Sequence, residues 1–258
     1  MKASRVKSVH KVVFVRHGES TWNKENRFTG WHDVPLSPHG VNEAIEAGQM
    51  LKSKGFVFDT CYTSVLQRAI KTWYTISDQM DLNYIQHHKH WRLNERHYGA
   101  LQGLNKAETA KKHGEEQVLI WRRSYDIPPP ALDENDERHP KFAPHYSRLP
   151  TDALPTTESL KITVDRVLPF WHDTIAPAVL DHKHIIVVAH GNSLRAIVKH
   201  LSGMSEDEIL KYNIPTAVPL VYEFDQDLNP LKNYYLLDED ELKKRQEAVA
   251  KQASARPN

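Results

Sequence analysis

Two short apolar runs, each stopping at a His-Gly pair, constrain this chain more than any other feature. Residues 11–15 (KVVFV) lead into Arg16-His17-Gly18, and residues 184–189 (HIIVVA) lead into His190-Gly191. Both runs are dominated by β-branched residues with no polar alternation, the pattern of strands covered on both faces. Strands of that kind belong to a parallel sheet sandwiched between helices, and such a sheet gathers the carboxyl ends of its strands on one side, where ligands bind. Two histidines at two such ends can meet over one ligand.

The remaining pattern supplies the helices. Ser37 and Pro38 form an N-cap and first-turn pair, followed by Val41, Ala44, Ile45, Gly48 and Leu51 at helical spacing and a stop at Gly55. Residues 56–62 (FVFDTCY) read as a strand, and Ala69, Trp73, Ile76 and Met80 share one face of a helix within residues 65–80. After His190, Leu194, Ile197, Val198 and Leu201 mark another helix, ended by Gly203. Residues 217–224 and 228–236 read as two more strands, and a charged helix is expected from Asp238 onward. The stretch 98–155 differs: a charged, helix-like part with Trp121 gives way to Pro128-Pro129-Pro130, Pro140, Pro144, Pro150 and Pro155, an insertion that could act as a lid. The expected fold is α/β, three layers with a mostly parallel central sheet, in one domain spanning 1–258 with a tail at 238–258.

Charge excludes several classes of function. With 34 Lys plus Arg against 33 Asp plus Glu, the net charge of +1 gives no whole-chain field to draw in nucleic acid or a membrane surface. Cys61 is the sole cysteine, which rules out an internal disulfide and a Cys-based zinc cluster. Residues 1–10 (MKASRVKSVH) lack an apolar leader core, so a cytoplasmic location is expected.

The residue types at the strand ends suit phosphoryl transfer. A neutral imidazole attacks phosphorus without first losing a proton, and the phosphohistidine formed is reactive enough to pass the group on. Arg16 and Arg68 would grip phosphoryl oxygens with guanidinium forks, and His190, held protonated by the phosphate, would add a donor. Glu95, in the segment WRLNERHYG from Trp91, is the candidate proton donor and acceptor for the exchanged hydroxyl, although an isolated Glu in an Arg-rich stretch is more often one half of a salt bridge. Lys106, Arg122 and Arg123 form a basic set in the insertion, suited to a carboxylate or a second phosphate, or else to a solvated face. The tract His87-His88-Lys89-His90 has no acidic or cysteine partner at ligand spacing, and no metal site is expected.

The set Arg16-His17-Gly18-Glu19-Ser20, Trp22-Asn23, residues 25–30 (ENRFTG), residues 93–99 (LNERHYG), residues 121–125 (WRRSY) and residues 190–195 (HGNSLR) closely resembles the cofactor-dependent phosphoglycerate mutases of the histidine phosphatase superfamily, over residues 11–237. The resemblance implies that His17 is phosphorylated, that Glu95 exchanges the proton, and that Arg16, Arg68, Asn23 and His190 form the phosphoryl pocket. It further implies substrate contacts from Thr29, Gly30, Tyr98, Lys106, Arg122, Arg123, Gly191 and Asn192, priming by 2,3-bisphosphoglycerate, no metal, and interconversion of 3-phosphoglycerate and 2-phosphoglycerate in glycolysis and gluconeogenesis. Expected partners are these small molecules and further copies of the chain, as a dimer or tetramer.

Ser20 and Gly30 look mutase-like rather than like the bisphosphoglycerate synthases, which resemble this family but carry small replacements there. Ala217 and Leu237 depart from the mutase pattern, where glycine is usual. Two rivals accompany this reading. One is a superfamily phosphatase, in which water takes the phosphoryl group from His17. The other is a non-enzymatic scaffold, which would be expected to have lost His17, Glu95 or His190.

Overall fold

The computed structural model describes residues 10–181 and 183–253. The reading of the N-terminus as lacking a leader core thus falls almost wholly outside the described residues, as does the end of the tail. Six strands, β1 (His10–Arg16), β2 (Thr60–Thr63), β3 (Gln86–Lys89), β4 (Ile185–Ala189), β5 (Leu220–Phe224) and β6 (Pro230–Tyr235), form one sheet in the order β3-β2-β4-β1-β5-β6. Pairings from β3 through β1 are parallel, and β5 and β6 are added antiparallel. Helices in chain order are α1 (Thr21–Lys24), α2 (Pro38–Ser53), α3 (Gln67–Met80), α4 (Lys106–His113), α5 (Glu115–Arg123), α6 (Leu160–Phe170), α7 (Ala176–Leu180), α8 (Gly191–Leu201), α9 (Glu206–Lys211) and α10 (Glu239–Ala253).

Both faces of β1 are buried, which explains its unbroken apolar run. Val13 and Val15 pack with Ala47 and Leu51 of α2 and Trp73 and Ile76 of α3. Val12 and Phe14, pointing the opposite way, join Val164 and Val167 of α6 and Leu194 and Ile197 of α8. These are the two helix layers expected of a buried parallel sheet. Burying each such aliphatic side chain stabilises the fold by roughly 1.5–3 kcal/mol, so the strands that carry the two His-Gly ends are firmly held from both faces.

The N-cap at Ser37 is present, its Oγ accepting the Gly40 N–H at 3.0 Å, but the buried stripe of α2 runs through Gly40, Ala44, Ala47, Gly48 and Leu51, leaving Val41 exposed. Small residues face α3 because the helices approach closely: a methyl at Gly48 would lie 2.7 Å from Gln79 Cβ. The second strand is shorter than expected, since Phe56 and Phe58 turn under the sheet instead of extending it. The polar His tract forms β3, an edge strand whose mixed exposure hides it from hydropathy patterning. Helix α6 was unforeseen, with Pro169 inside its last turn and a widened π turn (Trp171–Ile175) following; the missing proline N–H is absorbed where the backbone bonding changes period. Among the described residues, no helix is long and apolar enough to cross a membrane.

Ala217 sits at φ 49°, in the left-handed region that favours glycine, so the side chain at this position is felt as backbone strain. Leu237 has no such backbone demand. Left-handed alanine costs about 1–2 kcal/mol, but the Ala217 side chain is buried in the core, and a methyl is worth about 0.8 kcal/mol, while glycine would add about 0.4–1 kcal/mol of unfolded-state entropy. The terms nearly cancel. Ala217→Gly should therefore change stability by less than about 1 kcal/mol in chemical denaturation, whereas a gain of several kcal/mol would show that Ala217 strains the loop beyond its own φ.

Candidate active site

The register of the two central strands builds the site. Arg16 pairs with Ala189 across β1 and β4, so His17 and His190 are the next residues out on adjacent strands. His17 N–H donates to the Ala189 carbonyl at 2.9 Å, and the two imidazoles lie with centroids 5.0 Å apart. Both rings are buried, at 2% and 0% exposure, so neither is a surface histidine. His190 is also the N-cap of α8, whose first-turn N–H groups and dipole face the same space.

His17 is set for nucleophilic use. Its Nδ1 lies 2.6 Å from the Gly18 carbonyl oxygen, an acceptor, so Nδ1 carries the proton and Nε2 keeps its lone pair. Arg68 Nε donates to that Nε2 at 3.3 Å, marking the position a phosphoryl group would take. Burial, then Arg68 and Arg16, push the His17 pKa well below 6.5, keeping the ring neutral. Gly18 is tight against α2: a Cβ there would meet the Gly40 carbonyl oxygen at 2.2 Å, so only glycine lets the strand end turn under the helix.

The two arginines expected to grip phosphate differ in what they have to offer. Arg68 Nη1 and Nη2 donate to the His32 and Gly30 carbonyls at 3.0 and 2.8 Å, so part of the fork expected to grip phosphoryl oxygens is engaged by the 30–32 loop. Arg16 donates through Nη1 to the Ile214 carbonyl at 2.9 Å, and its buried Nε has no partner among the described residues. Burial lowers the pKa of Arg16, and that of Arg68 to about 10.

Glu95 reaches the same cavity from the other side. Its Oε1 accepts the N–H groups of Arg96 (2.8 Å) and Asn192 (3.0 Å), so one oxygen is anchored by backbone and Oε2 is available for a proton. The salt-bridge alternative for Glu95 is not what forms: among the described residues it holds no ion pair within 4.0 Å. Trp31 Nε1–H fixes its carbonyl at 2.6 Å.

The cavity, ≈ 130 Å³, brings together all of Arg16, His17, Asn23, Thr29, Gly30, Arg68, Glu95, Tyr98, Lys106, Arg122, Arg123, Gly191 and Asn192. His190 lies against it through His17. Asn23 acts locally, its Oδ1 accepting from Ser20 N and Oγ at 3.1 and 2.9 Å. Gly30 has φ 55°, and a Cβ there would meet Gln102 Oε1 at 2.1 Å, so bulk at this position would displace the side chain that holds Trp31 N–H. Burial pushes Lys106 down to about 7, helped by Arg122 and Arg16; an anion beside it would reverse that shift.

Sequence reasoning missed Arg195, Tyr212, Asn213 and Val249, which also line the cavity. Arg195 was findable: it stands four residues after Gly191 on α8, one turn along the same face. Its guanidinium donates to Asn192 Oδ1 at 3.1 Å and to the Ile209 carbonyl. Val249 brings α10 over the cavity, and the helix is tied down by Gln246 Nε2 to the Asn213 carbonyl (3.4 Å) and by Arg245 to Glu46 (3.5 Å). Among the described residues, no three His, Cys, Asp or Glu side chains gather as a metal ligand set, and His87 of the polar tract instead bonds Thr63 Oγ1 at 2.9 Å.

A family model, the histidine phosphatase superfamily (branch 1), matches residues 12–137 and 130–236, nearly the whole chain and both His-Gly strand ends. The chain belongs to the histidine phosphatase superfamily. Solved structures share this superfamily fold at low identity. A mycobacterial glucosyl-3-phosphoglycerate phosphatase is 21% identical with a TM-score of 0.61, covering 88% of this chain and 96% of that one. The alpha-ribazole phosphatase of Shigella flexneri is 20% identical with a TM-score of 0.63, covering 86% and 94%. A protein described as mycobacterial hydrolase 2 is 20% identical with a TM-score of 0.63, covering 94% and 99%. At this distance they show the fold alone, an α/β fold with a mixed, mostly parallel sheet.

Proposed function

We propose that this superfamily member is a 2,3-bisphosphoglycerate-dependent phosphoglycerate mutase, interconverting 3-phosphoglycerate and 2-phosphoglycerate through phosphorylated His17. The observation that carries the reading is the surplus of cations beyond the phosphoryl cluster: Lys106, Arg122 and Arg123 from the insertion, with Arg195 from α8, line the same small cavity as His17. One transferred phosphoryl group needs only Arg16, Arg68 and the histidines. The additional charge suits a second anionic group on the same small molecule, a carboxylate or another phosphate.

In this reading the His17 Nε2–P bond forms as the P–O bond to the substrate breaks, and Glu95 Oε2 delivers a proton to the departing oxygen. In the second half-reaction Glu95 takes the proton from the attacking hydroxyl while the N–P bond breaks. The cationic set fits 2,3-bisphosphoglycerate, which supplies the phosphoryl group that primes His17; Arg16 and Arg68 would hold one end and Lys106, Arg122 and Arg123 the other. The cytoplasm is the compartment, and a homodimer or homotetramer the assembly, that accompany this reading.

A phosphatase is the second reading, favoured by the names of the structural neighbours, two of which are phosphatases. The two differ in whether water reaches phosphorylated His17. Helix α10 lies over the cavity through Val249, a cover suited to excluding water. The test is conversion of 3-phosphoglycerate with and without 2,3-bisphosphoglycerate in the presence of EDTA, comparing full-length protein with a chain ending at residue 238. Mutase activity that survives EDTA and needs priming, with a higher ratio of phosphate release to isomer in the short chain, is expected. Phosphate release as the main product of the full chain assigns it as a phosphatase, and loss on chelation rescued by manganese overturns the metal-free mechanism.

Glu95→Gln should keep the pocket, since Gln can still accept the Arg96 and Asn192 N–H groups, and slow both half-reactions by about 10²- to 10⁴-fold. Stopped-flow or quenched-flow rates of His17 phosphorylation and dephosphorylation check it; near-normal rates would leave Glu95 as a structural anchor.

A further inference from the structure

Ser64 is 0% exposed, directly after β2, and its Oγ lies 2.7 Å from His190 Nε2. The same oxygen accepts the Leu66 N–H at 3.1 Å. Those are its hydrogen bonds among the described residues, so the accounting of its own hydrogen is closed: of the two partners only His190 Nε2 can accept from the Ser64 hydroxyl. If Nε2 carried the proton instead, a fully buried hydroxyl hydrogen would be left without an acceptor, which proteins rarely tolerate. His190 Nδ1 is also buried and makes no hydrogen bond among the described residues, although the Ser193 N–H in the first turn of α8 faces the ring as in a capping box, and the ring stands 5.0 Å from that of His17.

We infer that Ser64 is a positioning residue that holds His190 in the neutral Nδ1–H tautomer, so that Nδ1–H is aimed at the phosphoryl group on His17. The inference rests on phosphoryl transfer at His17 but is indifferent to whether a hydroxyl or water finally accepts the group. It revises the expectation that His190 works as an imidazolium: a proton on Nε2 would need an acceptor that Ser64 provides only by leaving its own hydrogen unbonded. Burial and the nearby Arg68 push the same way, holding the His190 pKa well below 6.5. Nothing ionises in this arrangement, and no bond other than hydrogen bonds is made or broken. The neutral donor strengthens its bond as charge builds on the phosphoryl oxygens, and it does so without adding a further full charge beside Arg16 and Arg68. The logic is that of any histidine whose working nitrogen is chosen by what the other one bonds.

The intact protein, labelled with ¹⁵N-histidine, tests this first without any substitution at Ser64. The His190 resonances, assigned by their loss in His190→Gln, should show a protonated Nδ1 and an unprotonated Nε2 at neutral pH. In Ser64→Ala that signature should give way to a mixed or Nε2–H tautomer, and His17 phosphorylation, followed by quench and phosphate trapping, should slow by about 10- to 100-fold, the scale on which partners that fix an imidazole act. Ser64→Thr, which keeps the hydroxyl, should retain the tautomer. An Nε2–H or imidazolium state in the intact protein overturns the inference, whatever the activity. A lost tautomer with unchanged phosphorylation overturns the role of Ser64 in transfer, while leaving the mutase and phosphatase readings where the product assay puts them.

Discussion

Replacing His17 by alanine is expected to abolish phosphoenzyme formation and lower turnover by on the order of 10⁴- to 10⁶-fold, the effect of deleting a nucleophile from a machine whose parts act together. No neighbour can substitute. His190 Nε2 is engaged by Ser64, Arg68 offers only donors, and the buried Cys61 belongs to the core beneath the sheet. The fold should survive, because the His17 ring makes two hydrogen bonds, to the Gly18 carbonyl and from Arg68 Nε, and sits at the end of a strand whose ladder is otherwise complete. Leaving that carbonyl unsatisfied costs about 1–3 kcal/mol, visible as a lowered melting temperature with a native circular dichroism spectrum. Labelled phosphate trapped on the intact enzyme should be stable in alkali and labile in acid. An acid-stable phosphoryl group would place the chemistry on serine or threonine and sink this assignment.

The part of the site that sequence revealed is the part written in local pattern. An unbroken apolar run followed by His-Gly is legible because burial on both strand faces and a turn at the strand end both leave a mark along consecutive residues. The parallel pairing of β1 and β4, with Arg16 opposite Ala189, then brings the two marks together. The insertion was legible as different in kind from its prolines, and its helical part from its charge, though not the break at Gly114 that divides it into α4 and α5; the irregular chain that follows, broken by short 3₁₀ turns at Pro140–Phe142, Pro144–Tyr146 and Thr151–Ala153, has no periodicity to read.

What escaped notice is held by contacts distant in sequence. Ser64 carries no signal of its own; only the register of β2 beside β4 puts it on His190. Tyr212 and Asn213 join the cavity because the chain after α9 returns to meet Arg16, whose Nη1 bonds the Ile214 carbonyl. The edge strand β3 was hidden for the opposite reason, since an exposed edge needs no apolar run. The usual glycine at Ala217 pointed to a backbone demand, and φ 49° shows which one.

Glu158→Ala should be strongly destabilising although Glu158 does not line the cavity. Glu158 and Arg166 form a buried, two-pronged ion pair, Nε to Oε1 at 2.6 Å and Nη2 to Oε2 at 2.8 Å, with side-chain exposures of 1% and 6%. Arg166 uses its remaining donors on the carbonyls of Arg92 (2.8 Å), Asn94 (3.2 Å) and Glu95 (3.1 Å). Glu158 Oε2 accepts the His97 N–H at 2.8 Å. The pair therefore fastens the segment bearing Glu95 to the start of α6. Removing the carboxylate leaves a guanidinium charge buried without its counter-ion, which costs about 3–5 kcal/mol, or about 6–20 °C in melting temperature for a chain of this size. Glu158→Gln should cost less, because an amide oxygen can still accept from Arg166. A double replacement, Glu158→Leu with Arg166→Met, separates charge from positioning: it relieves the unpaired charge and should recover part of the lost stability, yet it leaves the Arg92 and Asn94 carbonyls without the Arg166 donors and the Glu95 carbonyl with Trp31 alone. Activity should then stay low although the melting temperature rises. A double variant that regains activity along with stability would mean that packing alone orients Glu95, and a Glu158→Ala protein melting like the unmodified chain would mean that Arg166 finds other partners.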